Sequence, residues 1–523
     1  MNLPDAGVAP RPSKNSSWVG LGIVSLLFMA SLALRIGDFK NVNGVPNLEA
    51  TYHVLLTIKA LRETPVSHSH FLPIVTLGSD RDKYVSWGAT VPTETGEFVY
   101  TSFPPLGFLV PYSFFAIFDW APTTRHLMVF NALLGGVSTL GLFALLMRVL
   151  RSAGYGHGVR SVGAIAGAAC LVFSKEALVS FGLVYWSQSL EEAFLLFQLI
   201  ALHALWTRPG RSAVIAMAVM SFLSASTEWS GMVANVCIAA LLIGRGPCDS
   251  RIENLKLGLV VFASTLLAGG VIAAQFISVL GLRQTAVAMG HRMIARSAMH
   301  TDALALLDGY ANSFGLFLPL VLGCAMCMAV AARGTEPARA SRIPAVLVLA
   351  ASFPLIENSL LLQHATEFTF DRLKLATPLA LVLALSLASA VVARDRLVIA
   401  LLCLGILVSA RENVTTYQNQ KAAFADWGVS VRSNESLRDR VAGVIDLTCA
   451  DLGSNGPVRA YTNLLFNRAV LENASPEALE AHAHRTAACG TVFLSQTTLH
   501  IDLPEFRRAT IRTADGKELV VVP

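Results

Sequence analysis

Charged residues are scarce in this chain of 523 residues. They make up 14% of it, against roughly 25% in an ordinary soluble domain, while 54% of the residues are hydrophobic and the mean hydropathy is +0.56. This balance excludes a soluble enzyme and a disordered chain. The long apolar runs that repeat along the sequence predict a polytopic α-helical membrane protein instead.

Several signatures of familiar protein classes are also missing. The sequence has no GxxxxGK[ST] loop and no glycine fingerprint between a strand and a helix, so nothing in it predicts a nucleotide site. Its one CxxC pair, Cys324 and Cys327, lies in an apolar run, which favours packing over a zinc site. The net charge of +5 is divided among short clusters between apolar runs, a pattern that reflects membrane orientation and excludes a nucleic-acid partner.

The apolar runs predict about 11 transmembrane helices. The first, Trp18 to Leu34, lacks a convincing cleavage site and is predicted to be an uncleaved span. The run from Leu106 to Phe118 is too short to span and is bounded by prolines, so it predicts an interfacial or re-entrant helix. The other predicted spans are 125–147, 161–174, 188–206, 213–226, 231–244, 257–280, 310–332, 343–356, 375–393 and 397–410.

Basic residues predict the orientation of the chain. With a cytoplasmic N-terminus, every short basic connection lies inside, as the positive-inside rule requires. The odd number of spans then puts the C-terminus outside. We therefore predict a multi-pass protein of the inner (cytoplasmic) membrane, with a transmembrane domain at 1–410, an outer loop at 35–124 and a small periplasmic α/β domain at 411–523.

The last domain has the composition of a soluble protein. We predict a helix over 475–490, a strand over 491–495 and a hairpin within 510–522. Cys449 and Cys489 form an even pair in an oxidising compartment, and both a disulfide and two free thiols remain open.

Two carboxylates of the outer loop are candidates for chemistry. Asp38 follows the first span, and Glu49 begins an amphipathic stretch with apolar residues at helical spacing over 54–61. A carboxylate held near the membrane surface can act as the general base for a hydroxyl acceptor. Each also has a structural alternative, because Asp38 can pair with Arg35 and Glu49 can be a first-turn carboxylate that the helix dipole favours.

This loop resembles that of the GT-C superfamily of membrane glycosyltransferases, especially the aminoarabinose transferases and protein O-mannosyltransferases. The stretch EATY at 49–52, with the helix that follows over 54–63, resembles their Asp-Glu-x-x-Tyr helix. The stretch YTSFPPL at 100–106 resembles their Tyr-x-x-x-Pro-Pro-Leu segment. The similarity covers roughly residues 18–150, and it implies a GT-C-like fold with Tyr52 and Tyr100 at the substrate.

One departure concerns the catalytic acid. Leu48 stands where the family has its leading aspartate, so the acid is either Glu49, by spacing, or Asp38, by residue type. The resemblance further implies a polyprenyl-phosphate sugar donor, a glycan or lipid acceptor and contact with membrane lipid. Some members use a divalent cation, and because the second acid is missing here, the ligands of such a possible cation are unknown.

Several positively charged residues are predicted on the outer side. The positive-inside rule does not explain them there, so a functional role is expected. They are predicted to bind the donor phosphate and to stabilise its developing charge. Contacts with lipid headgroups are the alternative. The predicted phosphate-binding residues are Arg283, His291, Arg292, Arg296, Arg372 and Lys374.

Acidic and aromatic residues near the outer ends of spans complete the predicted site. Helical spacing would put His364, Glu367 and Asp371 on one face. Glu228, together with Glu191 and Glu192, is expected to face a water-filled cavity or the outer surface. The neighbouring aromatics, Tyr185, Trp186 and Trp229, suit an interfacial belt or a platform for sugar stacking. The predicted substrate-binding residues are Tyr52, Tyr100, Glu228, His364 and Glu367.

These residues lead to a predicted function. Nucleotide sugars are absent outside the cytoplasmic membrane, so an outer-face transferase must take its sugar from a lipid carrier. We predict a glycosyltransferase that transfers a sugar from a polyprenyl-phosphate donor to a glycan or lipid acceptor, with inversion at the anomeric carbon. The alternatives are a secondary transporter or lipid-linked glycan flippase, and a glycan polymerase or ligase.

Overall fold

The structure is a computed structural model. It describes residues 15–40, 47–78, 89–297, 303–332, 342–423, 438, 451–454, 459–472, 491–494, 498–502, 509–512 and 518–522.

Helices form most of the described chain up to Ala423. The first ten are α1 (Asn15–Lys40), α2 (Glu49–Glu63), α3 (Val66–Ser69), α4 (Leu106–Ile117), α5 (Thr124–Ser152), α6 (His157–Val172), α7 (Lys175–Ser180), α8 (Ser187–Thr207), α9 (Arg211–Thr227) and α10 (Trp229–Arg245). They are followed by α11 (Arg251–Arg296), α12 (Ala303–Phe314), α13 (Phe317–Ala332), α14 (Arg342–Ser352), α15 (Pro354–Leu360), α16 (Leu362–Glu367), a 3-10 helix (Thr369–Leu375), α17 (Ala376–Ala393) and α18 (Arg396–Ala423).

Seven helical stretches among the described residues are long and apolar enough to cross a membrane. An eighth exists if the pair Leu304–Phe314 and Phe317–Cys327, bent by 102°, is one broken span. The predicted spans at 161–174, 213–226 and 231–244 correspond to α6, α9 and α10, which have only 16 or 17 residues. The chain is therefore a multi-pass membrane protein. The seven stretches are Trp18–Phe39, Thr124–Ser152, Ser187–Thr207, Arg251–Arg296, Arg342–Leu360, Thr369–Ala393 and Arg396–Ala423.

The helix α17 lies in the interior of the membrane part and packs closely on α6. Gly163 and Gly167 make this approach possible, because a Cβ at either position would lie 2.7 or 2.8 Å from a carbonyl oxygen of α17. Small residues at such an interface let two backbones come together, which strengthens dispersion contacts where lipid offers no hydrophobic driving force.

The outer loop contains the two helices that the sequence predicts. The amphipathic stretch forms α2, but ten of its 15 residues are buried, so it packs inside the protein on more than one side. The short apolar run forms α4, which has 12 residues with Pro111 inside. Between them, β1 (Thr90–Pro92) and β2 (Phe98–Tyr100) pair antiparallel and lead the chain into the segment 101–105.

The long helix α11 is interrupted where the predicted span 257–280 ends. Gly281 has φ 76° and ψ 159°, a conformation that only glycine adopts readily, so the helix kinks there. The segment beyond the kink, 282–296, carries the arginines that the sequence assigns to the outer side.

The C-terminal part contributes α19 (Arg459–Phe466) and a sheet of six strands. The order in the sheet is β4-β3-β5-β6-β8-β7, and β7 pairs antiparallel with β8, as expected for the predicted hairpin. The helix predicted over 475–490 and the pair Cys449 and Cys489 lie outside the described residues. The strands are β3 (Asp451–Ser454), β4 (Leu471–Glu472), β5 (Thr491–Leu494), β6 (Thr498–Asp502), β7 (Ala509–Arg512) and β8 (Glu518–Val522).

Candidate active site

A cavity of about 300 Å³ lies between the segment after β2 and the helices α10, α11 and α15. Its mouth is apolar: the side chains of Met293 and Leu360, which are 67% and 56% exposed, form part of it. Its inner end carries charge. The lining residues are Thr101, Ser102, Trp229, Val233, Met289, Arg292, Met293, Arg296, Glu357, Leu360 and Leu361.

Two of the predicted phosphate-binding residues come together in this cavity. Arg292 and Arg296 lie one helical turn apart on α11, so both point to the same side. Arg292 Nε donates to Ser102 Oγ at 2.6 Å, and the guanidinium of Arg296 lies 4.1 Å from the centre of the Phe103 ring. The segment after β2 therefore orients both arginines.

A hydrogen-bonded chain extends from Arg296 into the protein. Arg296 Nη2 donates to His364 Nε2 at 3.1 Å, and His364 Nδ1 donates to the carboxylate of Asp371. Both contacts require the neutral imidazole with its proton on Nδ1. Burial lowers the pKa of His364, which favours this neutral form. Gln188 Nε2 donates to the other oxygen of Asp371.

Lys374 lies at the inner end of this chain, among three buried carboxylates. Its Nζ is 2.5 Å from Glu357 Oε2, 3.5 Å from Asp371 Oδ1 and 3.6 Å from Glu228 Oε2. It also donates to Asn358 Oδ1 at 3.1 Å. One oxygen of each of the three carboxylates lies within 4.8 Å of the others, which is the spacing of a cation site. A divalent ion does not fit here, because the Lys374 ammonium takes the position between these oxygens.

Glu357 is the functional candidate that sequence reasoning missed. It lines the cavity, it is 2% exposed, and among the described residues its Oε1 has no hydrogen-bond partner. The predicted span 343–356 ends one residue before it, and Glu357 is not among the predicted site residues. The available signal was an acidic residue directly beside an apolar span, where an ionised group is costly unless it has a function or a partner.

Asp38 is engaged by the last membrane helix. It is 1% exposed, accepts a hydrogen bond from Tyr417 Oη at 2.5 Å and forms an ion pair with Lys421. Arg35, the partner that the sequence suggests, donates to the carbonyl oxygens of Ser31 and Phe181 and also interacts electrostatically with Asp38. Asp38 therefore links α1 to α18.

Glu49 is engaged by the C-terminal part. Its Oε1 accepts a hydrogen bond from the backbone N–H of Ala460, in the first turn of α19. A carboxylate at a helix N-terminus interacts favourably with the helix dipole. A helix dipole therefore does favour the Glu49 carboxylate, as the structural alternative proposes. The dipole of α19 contributes to this as well as that of its own helix, α2.

Tyr52 belongs to a second cavity, of about 310 Å³, between α2, the start of α5 and α19. The rings of Tyr52 and Tyr461 are 4.8 Å apart, centre to centre. Arg125 and Arg438 bring positive charge to its wall. The lining residues are Tyr52, Leu55, Pro122, Thr123, Thr124, Arg125, Arg438, Tyr461, Leu464 and Leu465.

Other predicted site residues lie away from the first cavity. Arg283 and His291 are exposed on α11, and neither lines a cavity that the described residues form. Arg372 is buried and donates to the Thr366 carbonyl oxygen at 3.3 Å. The prediction that His364, Glu367 and Asp371 share one helix face is wrong: α16 ends at Glu367, which is exposed, and Asp371 lies in the 3-10 helix that follows.

The predicted aromatic belt is also wrong for two residues. Tyr185 and Trp186 are 1% and 4% exposed, because the chain between α7 and α8 turns into the protein. Tyr100 lies against Trp186, and the ring of His53 is 4.3 Å from Tyr100 and 5.3 Å from Trp186. Burial among these rings lowers the pKa of His53 to about 3, so its imidazole is neutral at ordinary pH.

The glutamates next to this cluster are likewise buried in protein. Glu191, Glu192 and Glu228 are each no more than 2% exposed, against the expectation that they face water. Ser224 Oγ donates to Glu191 at 2.5 Å, and Thr377 Oγ1 donates to Glu192 at 2.5 Å. Glu228 caps α10 by accepting from the backbone N–H of Ser230 at 2.8 Å.

Neither a family model nor a curated protein matches this sequence. Solved structures do match. ArnT from Cupriavidus metallidurans bound to undecaprenyl phosphate aligns over 90% of this chain and 88% of its own, with 11% identity and a TM-score of 0.55. The oligosaccharyltransferase of Archaeoglobus fulgidus in the apo form aligns over 92% and 70%, with 12% identity and a TM-score of 0.59.

A further structure of that archaeal enzyme, AglB in complex with an inhibitory peptide and a dolichol-phosphate, aligns over 92% and 70% of the two chains. Its identity is 13% and its TM-score 0.53. Identities this low establish the architecture alone. The chain therefore shares the fold of ArnT and of the archaeal oligosaccharyltransferase, which is the GT-C fold that the resemblance of its first outer loop predicts.

Proposed function

We propose that this protein is a membrane glycosyltransferase that takes a sugar from a polyprenyl-phosphate donor. The observation that carries the proposal is the first cavity, because two arginines and a buried carboxylate meet there beside an apolar, exposed mouth. A lipid phosphate needs this combination: cations for the headgroup and apolar wall for the chain. The GT-C fold supports it, since solved structures of that fold hold undecaprenyl phosphate and dolichol-phosphate.

Arg292 and Arg296 bind the donor phosphate in this proposal. Both guanidinium groups line the cavity, and each is oriented by a neighbour, Ser102 or His364. Guanidinium groups bind phosphate oxygens with charge-assisted hydrogen bonds, and their charge stabilises the phosphate as it leaves. Met289, Met293 and Leu360 contact the first isoprenoid units at the mouth.

Glu357 is the proposed general base. It lines the cavity, its Oε1 has no hydrogen-bond partner among the described residues, and Lys374 Nζ lies 2.5 Å from its Oε2. The acceptor hydroxyl transfers its proton to Glu357 as its oxygen attacks the anomeric carbon. The bond from that carbon to the phosphate oxygen breaks, and polyprenyl phosphate leaves with the electron pair. A single displacement of this kind inverts the anomeric configuration.

The two acids of the outer loop are the alternatives for this role. Asp38 is paired with Lys421 and Tyr417, and Glu49 contacts α19. Neither residue lines the first cavity, where the two arginines lie. Both remain candidates that the same assay tests.

The second cavity is the proposed site of the acceptor. Tyr52 and Tyr461 offer faces for sugar rings, and Arg125 and Arg438 favour an acceptor that carries acid or phosphate groups. A glycan or a lipid headgroup meets this description.

The proposal includes a topology. With the bent pair and the helices α6, α9 and α10 counted as spans, the membrane domain has 11, and α4 lies in the interface. The N-terminus is cytoplasmic, and residues 411–523 form an α/β domain on the outer face of the inner membrane.

The test is transfer of labelled sugar by the purified protein in lipid nanodiscs, with a panel of polyprenyl-phosphate sugars and with phosphorylated and neutral glycolipid acceptors. We expect transfer from at least one donor, and binding of radiolabelled polyprenyl phosphate that does not require an acceptor. Binding without transfer, together with movement of the lipid across proteoliposomes, would contradict the proposal and favour a flippase. Joining of whole glycan units would identify a polymerase or ligase.

A further inference from the structure

Three buried carboxylates surround Lys374, and their arrangement bears on whether the protein binds a metal ion. Glu228, Glu357 and Asp371 come from three different elements, α10, α15 and the 3-10 helix, and each is no more than 2% exposed. One oxygen of each lies within 4.8 Å of the others. Ionised carboxylates repel one another strongly at this spacing inside a protein, so a cation among them stabilises the arrangement. We call these three residues the carboxylate cage.

The cation in this cage is the ammonium group of Lys374, which belongs to the chain itself. Lys374 Nζ is between 2.5 and 3.6 Å from one oxygen of each cage residue, and Asn358 Oδ1 provides a fourth oxygen at 3.1 Å. Lys374 is 3% exposed and follows Asp371 by three residues in the same 3-10 helix, so the backbone aims it into the cage. Four oxygens around one ammonium reproduce the donor set that a hard divalent ion would use.

The ammonium and a divalent ion exclude each other from this position. A metal ion bound by the same oxygens would need contacts of about 2.0 to 2.6 Å and would lie nearly on top of Nζ. Placing two positive charges that close together in a buried site costs far more free energy than the contacts of either cation with the carboxylates provide. The tethered ammonium also has a large entropic advantage over an ion from solution, because its position is already fixed by the chain.

We infer that Lys374 is a built-in replacement for a divalent cation: it neutralises the carboxylate cage, and the protein works without a metal ion at this position. Two oxygens of the cage residues, Glu228 Oε1 and Glu357 Oε1, have no hydrogen-bond partner among the described residues. Glu357 also lines the cavity, so the ammonium that holds the cage together contacts the proposed general base beside the substrate. This last consequence rests on the proposed function; the occupation of the cage by Lys374 does not.

The inference is tested by Mn²⁺ binding, followed by electron paramagnetic resonance on the purified protein. Lys374→Met keeps the length and apolar stem of the side chain but removes the charge. We expect no stoichiometric Mn²⁺ site in the wild type, and one Mn²⁺ bound at least about tenfold more tightly by Lys374→Met, because removal of the ammonium leaves three carboxylates without a cation. The double variant Lys374→Met/Glu357→Gln should lose this gain.

Lys421→Met is the matched control. It removes another ammonium group, on a side chain that is 18% exposed and that pairs with the single carboxylate of Asp38. Without a cage, it should gain no Mn²⁺ site.

Two results would overturn the inference. The first is a wild-type Mn²⁺ site that Glu357→Gln abolishes, because the cage would then be a metal site. The second is a folded Lys374→Met protein that binds no Mn²⁺.

Folding and activity give two further readouts. If Lys374→Met is unstable, Mn²⁺ added during purification should restore folded protein and raise its melting temperature, whereas the wild type should not respond. Failure of Mn²⁺ to rescue the variant would count against the inference. Transfer by wild-type protein should survive removal of metal by EDTA. Absence of transfer under every condition would refute the proposed function and leave the Mn²⁺ result to decide the inference separately.

Discussion

The first outer loop and the segment around residues 357–374 both carry acidic and basic residues, but the structure uses them differently. In the outer loop, Asp38 and Glu49 are bound by groups that come from 379 and 411 residues away along the chain. In the later segment, Glu357 lines a cavity that two arginines also line, and its Oε1 has no hydrogen-bond partner among the described residues. A resemblance in a local motif therefore identified the fold, while the carboxylate that lines the cavity lies outside that motif.

The difference has a simple physical origin. A carboxylate is available for proton transfer only if its lone pairs are not already used, and its partners are chosen by the tertiary structure. The helix that follows Glu49 would form in the same way with or without α19 beside it. The following predictions test this contrast between the two regions.

The largest effect is expected at the base. Glu357→Gln removes the proton acceptor with almost no change in shape, so we expect transfer to fall by about 10²- to 10⁴-fold in kcat. Asp38→Asn and Glu49→Gln should each stay within about tenfold of wild type, because their carboxylates hold structural contacts. Single-turnover transfer assays on the three variants compare the regions directly. A larger loss in Asp38→Asn or Glu49→Gln, with the fold intact, would return the catalytic role to the outer loop.

The second effect concerns the donor phosphate. Arg296→Gln removes a positive charge that lines the first cavity and binds the donor phosphate in the proposed function. We expect a loss of about 10²-fold in kcat/KM. Arg283→Gln changes the same residue type on the same helix at an exposed position, and it should remain within about twofold of wild type. Binding of radiolabelled polyprenyl phosphate should weaken in the first variant only. Equal effects would mean that the whole outer segment of α11 binds phosphate without a defined site.

The third effect separates acceptor from donor. Arg125→Gln, in the second cavity, should raise KM for an acidic acceptor by about tenfold, which corresponds to about 1.4 kcal/mol. KM for the donor and transfer to a neutral acceptor should change little. Kinetics with paired acidic and neutral glycolipids measure this. A change in donor KM instead would show that the second cavity does not bind acceptor.

The smallest effect is on stability and pH. Burial lowers the pKa of His53 to about 3, whereas in the unfolded chain it is near 6.5, so between these values the unfolded state binds the proton and the folded state does not. Stability is therefore fully present above about pH 6.5 and falls as the pH drops toward 3, by about 1.4 kcal/mol per pH unit. His53→Phe keeps an aromatic ring and should reduce this acid sensitivity. Melting temperatures in detergent at pH 7 and pH 5 provide the measurement, and identical shifts in the two proteins would contradict it.

The sequence determined the membrane class and most of the helices, because hydropathy and helical periodicity are local properties. The short run at 106–118 became α4, the amphipathic stretch after Glu49 became α2, and the motif from 49 to 106 identified the GT-C fold. It also included Arg292 and Arg296 among six predicted phosphate-binding residues, since cations on the outer side of a membrane protein are unexpected.

Only the tertiary structure decided which charges meet. The kink at Gly281 directs the arginines of α11 toward Ser102 and His364, the 3-10 helix after Glu367 turns Lys374 into the carboxylate cage, and α18 and α19 engage Asp38 and Glu49. None of these contacts is local in sequence. The energy of a charge inside a membrane protein depends on the partners that surround it in space. The sequence therefore identifies the charged residues but not which partners each of them meets.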